Sequence, residues 1–274
     1  MKLAVATTTP EVKIPVPVAL LAGTFTERLE KATNFGCDGI ELMVVRPDEL
    51  DVREIRTRVL AAGLEVAAVA SGAISMVDKL TLLASDPEVS QQAAARLHAL
   101  LGFAAAVEAP LVTVGGFRGR LAWAGGAEAR ARLIEILRVA TDRAASLGVR
   151  LVLEPLNRYE TDIVYNAEEG LALIEEVGHS HLGLLLDTFH VNIEEASLYD
   201  CFRRVMAADR LWHVHLGDSN RLAPGQGHLD FAGIVTTLRE IDYQGYLSAE
   251  LLPCPDPDAA AAATIDHMRQ FVPN

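Results

Sequence analysis

Positive charge is scarce in this chain. Its 274 residues hold 24 Lys and Arg against 37 Asp and Glu, a net charge of −13. Non-specific nucleic-acid binding rests on clustered Lys and Arg, so that balance argues against a nucleic-acid partner and against an anionic membrane surface. Anionic small molecules stay open, since a few local Arg residues suffice for those. Cysteine is also rare: Cys37, Cys201 and Cys254 are widely spaced and form no CxxC pair. A disulfide framework or a zinc knuckle is therefore not expected, and a reducing cytoplasm is the natural setting. The first residues, Met1 to Thr7, lack the long apolar region of a signal peptide. No stretch reaches the roughly 18 uninterrupted apolar residues of a membrane span. There is no GxGxxG after the first strand, no GxSxG and no phosphate-binding P-loop.

What is present is an alternation. Half of the residues are hydrophobic, ample for one large core. Leu3 to Thr7 reads as a strand, and Thr24 to Phe35 as a helix capped by Thr and stopped by Gly36. Strand Asp38–Val45 and helix Leu50–Ala62 follow, then strand Leu64–Ala70 and a loop from Ser71 to about Asp86. Asp86-Pro87 opens a long helix to about Val107, as expected of an N-cap followed by proline. Further strands run over Leu111–Gly115, into Glu154, into Asp187, into His215 and into Glu250. Helices over Ala127–Leu147, Ala167–Val177, Leu198–Ala208, Asp230–Ile241 and Asp258–Phe271 separate and follow them. Eight strand-then-helix units without a break in composition predict an α/β fold, a single-domain (β/α)8 TIM barrel over residues 1–274. A doubly wound open sheet is the runner-up, but would more often carry a glycine-rich loop after its first strand.

Four consecutive strands end in chemistry: Glu154, Asp187, His215 and Glu250. In a barrel all strand C-termini converge on one mouth. Three carboxylates there repel one another at low dielectric, and a divalent cation relieves that repulsion. Any one of them alone is more simply a polar strand end; all four at neighbouring strands form a metal shell. Three oxygens and one imidazole suit Mn²⁺, Co²⁺ or Mg²⁺. His213 shares the strand face of His215, and the later residue, nearer the mouth, is taken as the ligand. Two Glu ligands also suggest acid/base work, Glu154 and Glu250 acting on opposite sides of a bound carbon. Arg118 and Arg120, in the loop after the fourth strand, are placed to meet an anionic substrate group or to be a solvated loop. Glu41 lies inside a strand and receives no role.

These residues sit in long motifs: Leu153-Glu-Pro-Leu-Asn-Arg158, Asp187-Thr-Phe-His190, His213-Val-His-Leu-Gly-Asp-Ser-Asn-Arg221 and Pro224-Gly-Gln-Gly-His228. The chain resembles the ketose 3-epimerases, the D-tagatose and D-psicose type, of the xylose-isomerase-like barrels. Through Tyr159-Glu-Thr-Asp162 and Gly116-Phe-Arg-Gly-Arg120 it looks nearest their 5-keto-L-gluconate epimerase branch, with Gly217 where that branch has Ala. The resemblance implies a metal, Mn²⁺ first, on Glu154, Asp187, His215 and Glu250. It implies the two Glu as the acid/base pair at C3, and Glu160, His190 and Arg221 binding the O1 and O2 end of the substrate. It also implies a sugar or sugar-acid substrate and a homodimer or tetramer. An aldose–ketose or hydroxypyruvate-type isomerase could use the same metal shell. An apurinic-site endonuclease would need more His ligands and a basic face. A catalytically silent sugar-binding protein would leave both Glu without a task.

Overall fold

The computed structural model describes residues 1–273. Eight parallel strands close into a barrel in sequence order: β1 (Lys2–Thr8), β2 (Gly39–Met43), β3 (Glu65–Ala70), β4 (Leu111–Val114), β5 (Arg150–Leu153), β6 (Leu182–Asp187), β7 (Leu211–Leu216) and β8 (Tyr246–Ala249). β8 pairs back onto β1, with Lys2 opposite Tyr246 and Val5 opposite Ala249. Around it lie α1 (Phe25–Phe35), α2 (Val52–Ala61), α3 (Gly72–Val77), α4 (Pro87–Ala106) and α5 (Ala127–Ser146), then α6 (Ala167–Val177), α7 (Thr188–Glu194), α8 (Leu198–Ala207), α9 (Phe231–Glu240) and α10 (Pro257–Met268). The expected (β/α)8 barrel is the observed one. No helix among the described residues is long and apolar enough to cross a membrane.

Local chemistry fixes the helix ends. Thr24 accepts from the backbone N–H of Glu27, and the Glu27 carboxylate accepts from the N–H of Thr24, closing a reciprocal capping box at α1. Gly36 ends that helix at φ +85, a left-handed conformation that costs a glycine little. Asp51, Asp86, Asn166, Asp230 and Asp256 cap α2, α4, α6, α9 and α10 through their side chains.

Alternation along the strands divides two cores. Leu3 and Val5 of β1, and Ile40 and Leu42 of β2, pack into the large cluster between barrel and helices. The residues between them, Ala4, Ala6 and Glu41, therefore face the lumen. Small Ala4, Ala6, Ala67 and Ala68 on β1 and β3, all buried, leave the Glu41 side chain room inside the barrel. Ala68, Leu111, Val152 and Leu185 form a separate apolar cluster with Trp212 packed against it.

Two elements differ from the sequence reading. The expected loop from Ser71 to Asp86 contains the six-residue helix α3, whose N-cap residue Ser71 makes no capping bond and donates its hydroxyl to the Thr113 carbonyl at 2.6 Å. And α7 starts directly after Asp187, ahead of the single helix expected from Leu198. Asp187 both ends β6 and caps α7, so no turn residue separates strand from helix.

Candidate metal centre and substrate site

Glu154, Asp187, His215 and Glu250 come together at the C-terminal mouth, each offering one ligand atom within 4.8 Å of the others. The chain positions each by a different device. The Glu154 N–H continues the β4–β5 ladder by donating to the Val114 carbonyl at 3.0 Å. Gly115 lies beside it, where a Cβ would meet Glu154 Oε2 at 2.2 Å, so any side chain there would displace the carboxylate from this position. Asp187 Oδ1 accepts from the Phe189 N–H at 2.8 Å as the cap of α7, which leaves Oδ2 to the mouth. His215 Nδ1 lies 3.5 Å from Glu154 Oε1 and 3.3 Å from Glu250 Oε2.

The donor set fits a divalent cation. Glu154 Oε1, Asp187 Oδ2 and His215 Nδ1 are buried without a hydrogen-bond partner, and all three belong to this cluster. Buried polar atoms are nearly always paired, so three unpartnered atoms converging on one point suit a shared cation. Electrostatics agrees. Burial pushes the Asp187 carboxyl up to about 7, against the pull of Arg221, with Glu154 adding to the rise. Burial likewise raises Glu154, opposed by His215. A cation at the shared point would keep both ionised.

Glu41, which carries no motif in the sequence, joins this cluster. It reaches across the lumen from β2 to β7 and accepts from His213 Nε2 at 2.9 Å and from His215 Nε2 at 3.1 Å. Burial would raise this carboxyl, but the two imidazoles hold it well below the usual range. Burial would lower His215, but Glu41 and Glu250 raise it well above the ordinary histidine value. The Nε2–H···carboxylate bond fixes the His215 ring so that Nδ1 faces the mouth. This is the outer-shell arrangement that orients metal-binding imidazoles. The available signal was a lone carboxylate between Ile40 and Leu42, with two histidines sharing one face of a later strand. Replacing Glu41 with Gln is expected to weaken Mn²⁺ or Co²⁺ binding about 10- to 100-fold, read by calorimetric titration of protein whose circular dichroism is unchanged. Wild-type affinity in the folded variant would remove this role.

The polar groups beside the cluster form one chain. His190 Nδ1 faces the Asn157 backbone N–H at 3.4 Å and Asn157 Nδ2 at 2.8 Å. An N–H can only donate, so Nδ1 is the acceptor and Nε2 carries the ring proton. Burial holds His190 well below its ordinary pKa, with Arg221 adding to the effect, and so keeps the ring neutral. Its Nε2–H is buried without a partner, 3.7 Å from Asp187 Oδ2, and is free to donate to a substrate oxygen. Asn157, in the motif Leu153-Glu-Pro-Leu-Asn-Arg158, also donates to Glu160 Oε1 at 3.0 Å. Arg221 donates to the same oxygen at 2.9 Å and lies over the Phe189 ring, 5.1 Å from its centroid. The loop carrying Arg221 is shaped by buried Asp218, whose carboxylate accepts from the N–H groups of Ser219, Gly225 and Leu229. Glu154, Glu160, Arg221 and Glu250 line a common cavity of about 70 Å³.

Arg118 does not sit where an anion-binding residue would. It is fully buried beneath the site, and its guanidinium donates to the carbonyls of Gly115, Glu154, Ile163 and Val164. Burial lowers it to about 10, partly offset by Glu154 and Asp162, so it remains a cation at neutral pH. The expected contact with a substrate anion is replaced by a strut between the loops after β4 and β5. The residue neither faces the mouth nor lies in a solvated loop. Arg120 lies further out, donating to the Tyr159 carbonyl at 3.1 Å.

The model of a family described as a xylose isomerase-like TIM barrel matches residues 29–271. The chain is 42% identical over 145 residues to the D-psicose 3-epimerase of Enterocloster bolteae, a match covering 53% of this chain and only about half of that relative, 47%. It is 34% identical over 227 residues to the L-ribulose 3-epimerase of a Methylomonas species, covering 80% of this chain and 75% of that one. The crystal structure of the D-allulose 3-epimerase of a Methylomonas species in complex with D-allulose superposes at a TM-score of 0.79. That alignment is 24% identical and covers 98% of this chain and 97% of the other, a likeness that speaks for the fold.

Proposed function

The chain belongs to the xylose isomerase-like TIM barrel family, among the ketose 3-epimerases, and from that premise we propose that it is a metal-dependent epimerase inverting C3 of a ketose. The observation that carries the proposal is the convergence of three orphaned ligand atoms, on Glu154, Asp187 and His215, in one cluster with Glu250. Glu154 follows β5 and Glu250 follows β8, three strands further around the ring. Their carboxylates therefore approach a bound carbon from different sides. One removes the C3 proton and the other returns a proton to the opposite face. Between the two steps the substrate is an enediolate.

Glu154, Asp187, His215 and Glu250 would hold the cation, and the oxygen-rich set favours Mn²⁺, with Co²⁺ or Mg²⁺ next. When bound, it supplies Lewis-acid polarisation of the substrate carbonyl. The chain's own residues do the rest. His190 donates its Nε2–H to a substrate oxygen. Arg221 and Glu160 form a donor–acceptor pair that fixes the O1 and O2 end. Glu41 keeps His215 from rotating. A neutral ketose ranks ahead of a keto-acid of the 5-keto-L-gluconate type, because the Arg118 cation is spent on backbone carbonyls.

The test is an incubation in D₂O with Mn²⁺ and a panel of tagatose, psicose, fructose and a 5-keto-gluconate-type acid, followed by NMR. Deuterium at C3 together with the C3 epimer is the expected result. Deuterium at C1 with a moved carbonyl would replace the epimerase by an aldose–ketose isomerase. Binding without any exchange would leave a sugar-binding protein.

A further inference from the structure

Beside the catalytic cavity lies a larger one, about 500 Å³ against about 70 Å³. Ser75 and Gly116 line both, so the two spaces share a wall. The larger cavity is bounded by Lys79, Thr81, Ser85, Asp86, Val89 and Trp123 among others, a mixture of hydroxyls, one ammonium, one carboxylate, small apolar groups and one indole face. Backbone hydrogen bonds brace the segments that line it. Leu82 and Leu83 donate to the carbonyls of Phe117 and Arg118 at 3.1 and 3.0 Å, tying the segment after α3 to the loop after β4. Arg132 of α5 donates to the Ala84 carbonyl at 3.0 Å. Trp123 is 51% exposed, unusual for so large an apolar side chain. The Arg120 guanidinium lies 5.8 Å from its ring centroid, and an indole has a second face.

We propose that this cavity is a subsite for a second sugar ring, glycosidically linked to the end of the keto-sugar remote from Arg221. The inference rests on the catalytic cavity holding the keto-sugar. Arg221, Glu160 and His190 gather on the β5–β7 side of the mouth, whereas Ser75, Gly116 and Trp123 belong to the segments after β3 and β4. A substrate held at its O1 and O2 end by the first group directs its far carbons toward the second. A pyranose ring presents an apolar C–H face and a rim of hydroxyls. The indole face takes the former, while Lys79, Thr81 and Ser85 take the latter. Lining segments already tied together by backbone hydrogen bonds limit the ordering that binding would demand.

The test compares fructose with isomaltulose, which carries a glucosyl ring on O6 of fructose, in wild type and in Trp123→Ala with Mn²⁺. The expected result is a loss of about tenfold or more in kcat/KM on isomaltulose and less than about twofold on fructose. Equal effects on both substrates would overturn the subsite. A second arm does not depend on turnover. Trp123 and Trp212 are the two tryptophans of the chain, and Trp212 sits at the start of β7 between Arg150 and Arg210. In a Trp212→Phe background the emission of Trp123 is expected to change saturably with isomaltulose and to stay constant with fructose. No change with either sugar would overturn the proposal. A change with isomaltulose but no epimerisation would uphold the subsite and count only against the reaction.

Discussion

Glu250→Gln is expected to lower epimerisation about 10²- to 10⁴-fold, the range for removing a positioned acid or base. The amide keeps the shape and one oxygen of the side chain but cannot exchange a proton with carbon. His215 Nδ1 and Arg221 still have Glu154, Asp187 and Glu160 as acidic neighbours, so the cluster retains most of its charge. Metal binding should weaken without disappearing. The two-sided mechanism makes a sharper forecast than a rate. With one carboxylate left, proton removal from the face that Glu154 serves can still occur, while delivery to the other face cannot. The variant should wash deuterium into C3 of one epimer far faster than it forms the other. Glu154→Gln should show the mirror-image preference. Exchange measured by NMR from each epimer in turn checks this. Equal residual exchange from both epimers, in protein that still binds Mn²⁺, would mean that the carboxylates do not divide the faces between them.

The barrel was legible because its grammar is local. Apolar strands alternate with helices eight times in order, and Thr24, Asp51, Asp86, Asn166, Asp230 and Asp256 each cap a helix through the side chain. The metal cluster was legible for a related reason. Strand order in a parallel barrel equals sequence order, so charged residues ending four consecutive strands must share one mouth. Glu41 was not legible in the same way. Its partners lie 172 and 174 positions away, and their meeting depends on the lumen being narrow and on Ala4, Ala6, Ala67 and Ala68 being small. Asn157 was hidden similarly, since its ring partner His190 belongs to a helix that starts within the Asp187 motif itself. Arg118 misled because a charged residue in a mouth loop ordinarily points to water. The carbonyls that claim it come from three separate places, residues 115, 154 and 163–164, and no spacing in the sequence announces them.

That placement sets the second large effect. Replacing Arg118 by Met should destabilise the fold by about 3–5 kcal/mol, the size expected when one member of a buried charge-assisted network is removed. The loss falls unevenly. The Gly115 carbonyl also accepts from the Arg118 backbone N–H, Ile163 from Thr161, and Val164 from the Leu156 N–H. The Glu154 carbonyl is held by the guanidinium at 2.8 Å, so the strut bears most directly on the residue that carries a ligand. Methionine fills the volume and leaves that carbonyl buried without a donor, an expensive outcome in an apolar setting. Activity should therefore fall together with stability, and by the same factor for neutral ketoses and for keto-acids. Arg118→Lys should recover part of the stability, since an ammonium keeps the charge but cannot span carbonyls on both sides as the planar guanidinium does. Urea unfolding gives the stability change, and kcat/KM on fructose and on a 5-keto-gluconate-type acid gives the ratio. A selective loss on the acid, in protein as stable as wild type, would return Arg118 to substrate binding. A common loss on both, accompanied by a lower urea midpoint, assigns it to holding Glu154 in place.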